Sequence, residues 1–127
     1  MGHASKLGQD VPVTVEQFED LKDPEHYAMN VFQGGLGLPD REYYFNADEK
    51  SVELRDQYAE HIEKMFALAG LPDGADAATT IMALETRIAE RHVVKEEERN
   101  WAENYNKVAR ADLGDVMQNF YWEGYLQ

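Results

Sequence analysis

Apolar and polar residues alternate in two runs near the start of the chain, over residues 12–18 and 26–32, and a polar turn containing Asp23-Pro24 separates them. Because alternation places one set of side chains on one face of a strand, the pattern predicts a β-hairpin over residues 11–33. Glu16, Gln17 and Glu19 are equally compatible with the start of a helix, and the pattern alone leaves that alternative open. The alternating apolar positions are Val11, Val13, Val15, Tyr27, Met29 and Val31.

The spacing of apolar residues becomes helical after residue 33, so residues 34–127 are predicted to be helical. Pro39 suits the first position of a short helical turn that extends to Tyr44, with acidic residues following it. Asp48 is predicted to cap a long helix that runs to Ala69 and ends at Gly70 and Pro72. Its apolar stripe consists of Leu54, Tyr58, Ile62, Met65, Phe66 and Ala69.

A second helix is predicted from Asp73 to about His92, with an apolar stripe at Ala77, Ile81, Leu84 and Ile88. Two helices joined by so short a link are expected to pack as an antiparallel hairpin. The very polar stretch 95–99 predicts a bend, and residues 100–106, 112–119 and 121–126 predict further short helices. The expected fold is therefore mainly α, a helical hairpin plus short helices with a small N-terminal β-hairpin. We expect residues 1–127 to be one segment of a domain, with residues 1–10 disordered or vector-derived.

Composition excludes several classes of function. The chain carries 25 acidic and 12 basic residues, a formal net charge of −13, which disfavours nucleic acid and anionic membranes as partners. It has no cysteine, which excludes disulfides, cysteine-ligated zinc and a cysteine nucleophile. The sequence contains no apolar run approaching the ~18 residues that a membrane span needs.

Three segments resemble the N-terminal region of the neprilysin and endothelin-converting-enzyme family. Residues 33–44 read QGGLGLPDREYY, residues 83–89 read ALETRIA, and the third set begins with Glu98-Arg99-Asn100, continues with Tyr105-Asn106-Lys107, and ends with Phe120, Trp122 and Tyr125-Leu126. The resemblance covers about residues 7–127. The absence of cysteine makes the chain more similar to bacterial members.

The resemblance implies a two-domain zinc endopeptidase whose C-terminal domain carries an HExxH helix and a glutamate ligand. The other domain is largely helical, caps the active site and encloses a cavity that admits peptides. This chain resembles part of the capping domain and lacks the catalytic domain. The resemblance thus implies the catalytic domain as a partner, peptide substrates and zinc through the parent, and no cofactor in this chain. A periplasmic or extracytoplasmic location is favoured, with a cytoplasmic one left open.

A direct test of the histidines agrees with that interpretation. HExxH zinc sites place two histidines four residues apart on a helix. The four histidines are His3, His26, His61 and His92, and no two have this spacing. We therefore predict no catalytic, metal-ligating or cofactor-binding residue. Two alternatives remain open: a free-standing helical module derived from that domain that binds peptides or a protein, and an enzyme with an unrecognised carboxylate pair.

Glu85 is the polar residue that the pattern singles out. It lies four residues after Ile81 and three before Ile88, so it is expected to point into an apolar stripe. Since a buried carboxylate needs a partner, we expect Arg99 or Arg41 to pair with it, and Glu85 to pin the helical hairpin to the Arg99 segment. The glycine-rich loop lacks the third glycine of a phosphate-binding motif, so its glycines are expected to serve packing. The structural candidates are Glu85, Arg99, Arg41, Gly35, Gly37, Asp40, Tyr105 and Asn106.

Exposed apolar and aromatic surface is expected on a stretch separated from the rest of its domain. Such patches favour association between molecules. The aromatic residues that could form the surface are Tyr43, Tyr44, Trp101, Phe120, Tyr121, Trp122 and Tyr125. We therefore expect some self-association, alongside a role for most of these aromatics in the core.

Overall fold

The computed structural model of the protein describes residues 11–125. The expectation for residues 1–10 lies outside this range, as does the end of the last predicted helix. The described residues form two compact units, one of residues 35–92 and one that combines the chain up to residue 34 with the chain from residue 93 onward. Their strands and α-helices are β1 (Val13–Asp20), β2 (Asp23–Gln33), α1 (Glu42–Phe45), α2 (Glu49–Leu68), α3 (Gly74–Ala89), α4 (Lys95–Glu98), α5 (Trp101–Asn104), α6 (Leu113–Val116) and α7 (Trp122–Tyr125).

The predicted β-hairpin is confirmed, and the alternative of a helix at this position is wrong. Strands β1 and β2 pair in antiparallel fashion, with Val15 opposite Val31 and an irregularity after Glu19. The rings of Phe18 and Phe32 meet edge to face, with their centroids 6.0 Å apart. The opposite face carries apolar side chains that remain exposed at Tyr27, Met29 and Val31.

The helical hairpin is also confirmed, in the unit of residues 35–92. Asp48 caps α2 as predicted, because its carboxylate accepts the backbone N–H of Ser51 at 3.0 Å and the Ser51 hydroxyl at 2.6 Å. Gly70 has a φ of 69°, the left-handed conformation in which helices commonly end. The core of this unit is built on Leu38, Tyr44 and Ala89, with Leu36, Tyr43, Leu54, Tyr58 and Met82 packed against them.

The buried face of α3 differs from the one that the apolar stripe predicted. Ala78 and Ala89 are fully buried and Met82 packs against the core, whereas Leu84 of the predicted stripe is 54% exposed. Small side chains let two helices approach closely, so burial here follows side-chain size as well as hydrophobicity. The rest of the predicted stripe, Ala77, Ile81 and Ile88, is half-buried beside Leu84.

The remaining helices are single turns in the other unit. The bend predicted for residues 95–99 is instead the one-turn helix α4, whose first turn contains Glu96, Glu97 and Glu98. Acidic side chains in the first turn stabilise a helix, because they lie near the positive end of its dipole. This explains why so polar a stretch forms a helix. A 3₁₀ turn at Arg110–Asp112 precedes α6.

An aromatic cluster ties the end of the described chain to the hairpin in the same unit. The Phe120 ring centroid lies 4.6 Å from that of Trp122 and 5.2 Å from that of Tyr125. The Tyr125 hydroxyl donates to the carbonyl of Val13 at 2.8 Å. This cluster therefore fills the core of its unit, which is the main role expected of the aromatic residues. Among the described residues, no helix combines the length and the apolar character required to cross a bilayer.

Candidate functional site

The glycine-rich loop serves close packing in the unit of residues 35–92. Gly35 has a φ of 81°, a backbone conformation that residues other than glycine rarely adopt. At Gly37 the constraint is space, because a Cβ atom there would overlap the ring and hydroxyl of Tyr58. The loop backbone therefore lies against α2 at a distance that only glycine allows.

A single carboxylate gathers the elements around this loop. Oε2 of Glu85 accepts the Tyr44 hydroxyl at 2.6 Å and the Gly37 N–H at 3.2 Å, and Oε1 accepts the Tyr58 hydroxyl at 2.9 Å. The Tyr44 oxygen in turn accepts the N–H of Leu38 at 3.0 Å. We call these five residues the Glu85 cluster; it joins the loop, α1, α2 and α3.

The environment keeps both tyrosines of the Glu85 cluster protonated. Burial, followed by the hydrogen bond to Glu85, raises the pKa of Tyr58 to about 12. The same two causes raise the pKa of Tyr44 still further above its ordinary value. Two neutral hydroxyls and one backbone N–H therefore donate to Glu85, which suits a structural clamp better than a general base.

The partners of Glu85 differ from those we expected. Arg41 does not fill that role, since its Nε donates to the carbonyl of Ala89 at 3.1 Å and its Nη1 lies 2.9 Å from Glu42 Oε1. A guanidinium on the last carbonyl of α3 complements the negative end of that helix. Arg99 lies in the other unit, where it is exposed and its carbonyl accepts the N–H of Trp101. Three donors already satisfy Glu85 without an arginine.

Two further contacts stabilise α1. Asp40, a structural candidate from the sequence, accepts the N–H of Glu42 at 3.1 Å through its carboxylate. Arg55, which the sequence did not single out, donates from α2 to the carbonyls of Tyr43 at 2.5 Å and Asn46 at 2.9 Å. The residue pattern of α2 gave no signal for Arg55, because its acceptors are backbone atoms of a separate segment.

The other unit contains a carboxylate that is buried. Asp20 is 3% exposed, and it accepts Lys107 Nζ at 2.5 Å, the Tyr105 hydroxyl at 2.8 Å and the N–H of Lys22 at 2.9 Å. We call these four residues the Asp20 cluster. The hydrogen bonds from Lys107, Lys22 and Tyr105 hold the pKa of Asp20 well below its usual range, and Asp20 raises the pKa values of Tyr105 and Lys107.

The sequence named part of the Asp20 cluster. The sequence predicts Tyr105 as a structural candidate, whereas it places Asp20 at the start of the polar turn between the two alternating runs. The irregular register after Glu19 accompanies the burial of Asp20 at the end of β1. Asn106 lies beside the cluster in sequence, and its side chain donates to the carbonyl of Asn104 at 3.3 Å.

The described residues do not fit a zinc ion. Throughout the range 11–125, no three His, Cys, Asp or Glu side chains lie close enough together to hold a metal. Structural zinc takes four ligands and catalytic zinc takes three from the protein.

Comparison with known proteins gives the family. The model of the N-terminal region of "Peptidase family M13" matches residues 1–127. Mouse endothelin-converting enzyme-like 1 is 28% identical over 109 residues, which cover 84% of this chain and 14% of that protein. Neprilysin-3 of Drosophila melanogaster is 26% identical over 106 residues, covering 82% of this chain and 14% of that protein.

A solved structure agrees with these sequence matches. The Mycobacterium tuberculosis zinc metalloprotease Zmp1, in complex with an inhibitor, superimposes with a TM-score of 0.86 and 30% identity. The match covers 98% of this chain but only 19% of that one, so this chain spans a small part of such a protein. The resemblance noted in the sequence is confirmed, including its bacterial type: the chain belongs to the N-terminal domain of peptidase family M13.

Proposed function

We propose that this chain is a non-catalytic helical segment of a neprilysin-like zinc metalloendopeptidase, where it helps to enclose the active-site cavity and limit substrate size. The observation that carries the proposal is the match to Zmp1, which accounts for nearly all of this chain and for about a fifth of that one. A chain that matches only this share of a longer enzyme is expected to form one part of such an enzyme. Zinc and peptide hydrolysis then belong to the rest of the parent.

The chemistry of the described residues supports a non-catalytic role. Zinc-dependent hydrolysis needs protein ligands that leave one position open for water. Among the residues 11–125 the histidines and acids form no such group. The carboxylates of Glu85 and Asp20 are each occupied by three donors from the protein itself.

A wall that sorts substrates by size must keep its shape, and the Glu85 cluster offers a physical basis for that. Its carboxylate joins three helices and the glycine-rich loop through hydrogen bonds between residues up to 48 positions apart. Hydrogen bonds to a charged acceptor are stronger than those between neutral groups. The cluster therefore resists separation of α1, α2 and α3.

The proposal includes the partners and the location that the family suggests. The main partner is the catalytic metallopeptidase domain, and peptides are substrates only through the complete enzyme. A periplasmic or extracytoplasmic location is part of the proposal. Fractionation of cells that produce the parent, with protease accessibility of this stretch, tests the location; a signal confined to the cytoplasm contradicts it.

The first experiment concerns the 127-residue chain alone. We expect no stoichiometric zinc by elemental analysis and no chelator-sensitive cleavage of an unstructured peptide. Tightly held zinc together with such cleavage would overturn the non-catalytic assignment. Added zinc followed by dialysis provides the control, because weakly bound metal is removed while a built site retains it.

The second experiment concerns the cavity and uses the longer polypeptide that carries this stretch. Cleavage of a short peptide is compared with cleavage of a long unstructured one, before and after Glu85→Ala. Loosening the wall is expected to raise the relative rate for the long substrate. Asp112→Asn, an exposed change outside the clusters, is the control. An unchanged ratio in a folded Glu85→Ala enzyme contradicts the size-limiting role.

A further inference from the structure

The β-hairpin has an apolar face that its own unit leaves open. Alternate residues of a strand lie on the same side of a sheet, so Tyr27, Met29 and Val31 follow one another on one face of β2. Tyr27 is 68% exposed, Met29 is 60% exposed and Val31 is 48% exposed. We call these three residues the open row. Three consecutive apolar side chains that stay this exposed are typical of an interaction surface.

The unit contacts this face at one end, beyond the open row. Gln33 is the next residue on the face, and its side-chain oxygen accepts the N–H of Val93 at 2.9 Å. An isolated two-stranded hairpin is at best marginally stable in water and needs further strands or a helix against it. The open row is therefore the part of the hairpin that lacks such packing.

The charge beside the open row is acidic. Glu19 lies opposite Tyr27 on the same face and is exposed. The residues opposite Met29 and Val31 are Gln17 and Val15, which carry no charge. A surface complementary to this face is therefore apolar over the open row and carries a Lys or Arg next to Glu19.

We infer that the open row is covered by an apolar segment of the parent polypeptide that lies outside this chain and places a Lys or Arg against Glu19. The inference rests on the proposed function, because it requires the longer enzyme. The match to Zmp1 covers 98% of this chain and only 19% of that one, so most of such a polypeptide is available to cover the row.

A segment of the same polypeptide has an advantage over any free partner. Covalent linkage gives it a high effective concentration at the open row, so it occupies the row ahead of a second copy or a diffusing protein. In the 127-residue chain alone the row stays open. The self-association expected from the sequence remains a prediction for that isolated chain.

Thiol labelling of the longer polypeptide tests the inference. Met29→Cys places a thiol in the open row, and Glu16→Cys is the matched control, because Glu16 is exposed on the other face of the same hairpin, opposite Asn30. Mass spectrometry of the peptide that contains each thiol gives its rate of reaction with iodoacetamide, in buffer and in urea. In buffer, Met29→Cys is expected to react at least about tenfold more slowly than in urea, and Glu16→Cys at a similar rate in both. In the 127-residue chain both thiols are expected to react at similar rates.

Charge reversal tests the cation expected beside Glu19. In the longer polypeptide with Met29→Cys, Glu19→Lys places like charges together and is expected to speed labelling by about two- to fivefold, the effect of losing an exposed ion pair. Glu16→Lys makes the same change of charge on the other face and is expected to leave the rate unchanged. Equal effects of the two reversals would overturn the assignment of a cation at this position.

The labelling also separates the possible occupants. Equal reaction of Met29→Cys and Glu16→Cys in the longer polypeptide would overturn the inference. Protection that disappears on dilution would assign the open row to a second copy, and protection that appears only with added peptide would assign it to a substrate; both contradict the inference. Zinc content and peptide cleavage are measured separately on the same polypeptide. Their absence removes the proposed function and leaves the labelling interpretable, whereas an active enzyme with an open row contradicts only this inference.

Discussion

The hydroxyl of Tyr44 lies 2.6 Å from Oε2 of Glu85, and this contact joins α1 to α3 across 41 positions of sequence. The same hydroxyl oxygen accepts the N–H of Leu38 at 3.0 Å. Tyr44 is only 6% exposed, so water has little access to replace the Leu38 N–H or the Glu85 carboxylate as its hydrogen-bond partner. One atom therefore satisfies a backbone donor and a carboxylate in a nearly dry environment, where an unmade hydrogen bond is most costly.

Tyr44→Phe is expected to lower the free energy of unfolding by about 1–3 kcal/mol, the usual cost of leaving buried polar groups without a partner. The substitution keeps the ring and removes one oxygen, so Leu38 loses its acceptor and Glu85 loses a donor. Urea unfolding followed by circular dichroism measures the change.

Tyr43→Phe is the control for this prediction. Tyr43 is the adjacent residue, is half-buried, and has a hydroxyl outside the Glu85 cluster. Its loss is expected to change stability by less than about 0.5 kcal/mol. Equal stability of Tyr44→Phe and the wild type would show that the Glu85 cluster contributes little.

Local signals in the sequence were sufficient for both ends of α2, whereas α3 ends at Ala89 and not near His92 as predicted. The carboxylate of Asp48 and the glycine at Gly70 act within a few residues of the backbone groups they satisfy, so their effect is visible in sequence. The alternating residues of β1 and β2 likewise predicted a hairpin, because pairing of neighbouring strands depends on a short turn.

The same local signals could not predict contacts between residues that are far apart in the sequence. The partner of Glu85 was expected to be an arginine, yet three donors from the glycine-rich loop, α1 and α2 converge on it. Periodicity located the apolar residues of α3 but could not decide which of them are buried. Two alanines decided it, because small side chains permit close contact between helices.

High pH is expected to destabilise the unit of residues 35–92 through Tyr58. In the folded chain the pKa of Tyr58 is raised to about 12, whereas an unfolded tyrosine loses its proton near pH 10. The stabilising contribution is therefore complete below pH 10 and is lost as pH rises from about 10 to about 12. Unfolding midpoints measured across this range are expected to fall, and Tyr58→Phe is expected to reduce the slope. An equal slope in both proteins contradicts the prediction.

Low pH is expected to act on the other unit through Asp20. Its pKa is held far below the usual value of about 4 by Lys107, the N–H of Lys22 and Tyr105. The stability it contributes is present above that usual value and is lost as pH falls below it. Asp20→Asn is expected to be less stable at neutral pH and less sensitive to acid. Thermal melts across the acidic range measure both effects.

Asp115→Asn provides the comparison for the acid prediction. Asp115 is exposed in α6 of the same unit and lies outside the Asp20 cluster. Its removal changes the net charge by the same amount, so any general effect of charge appears in both variants. An acid dependence that is identical in Asp20→Asn and Asp115→Asn would attribute the effect to net charge instead of to the hydrogen bonds of the buried Asp20 carboxylate.

Gly37→Ala is expected to lower the free energy of unfolding by about 1–3 kcal/mol, the usual cost of overpacking. Gly37 does not have the positive φ found at Gly35 and Gly70, so backbone strain is not the cause. The new methyl group would overlap the Tyr58 hydroxyl and displace its hydrogen bond to Glu85. Urea unfolding measures the loss.

Two further variants separate this cause from a general effect of replacing glycine. Gly114→Ala in α6 meets no atom within 4 Å and is expected to be neutral or stabilising by about 0.5–1 kcal/mol. Tyr58→Ala removes the group that the new methyl would strike, so the double variant Gly37→Ala/Tyr58→Ala is expected to lose less stability than the sum of the two single changes. The coupling expected between such neighbours is about 0.5–3 kcal/mol. Strict additivity would mean that Gly37 is constrained by something other than Tyr58.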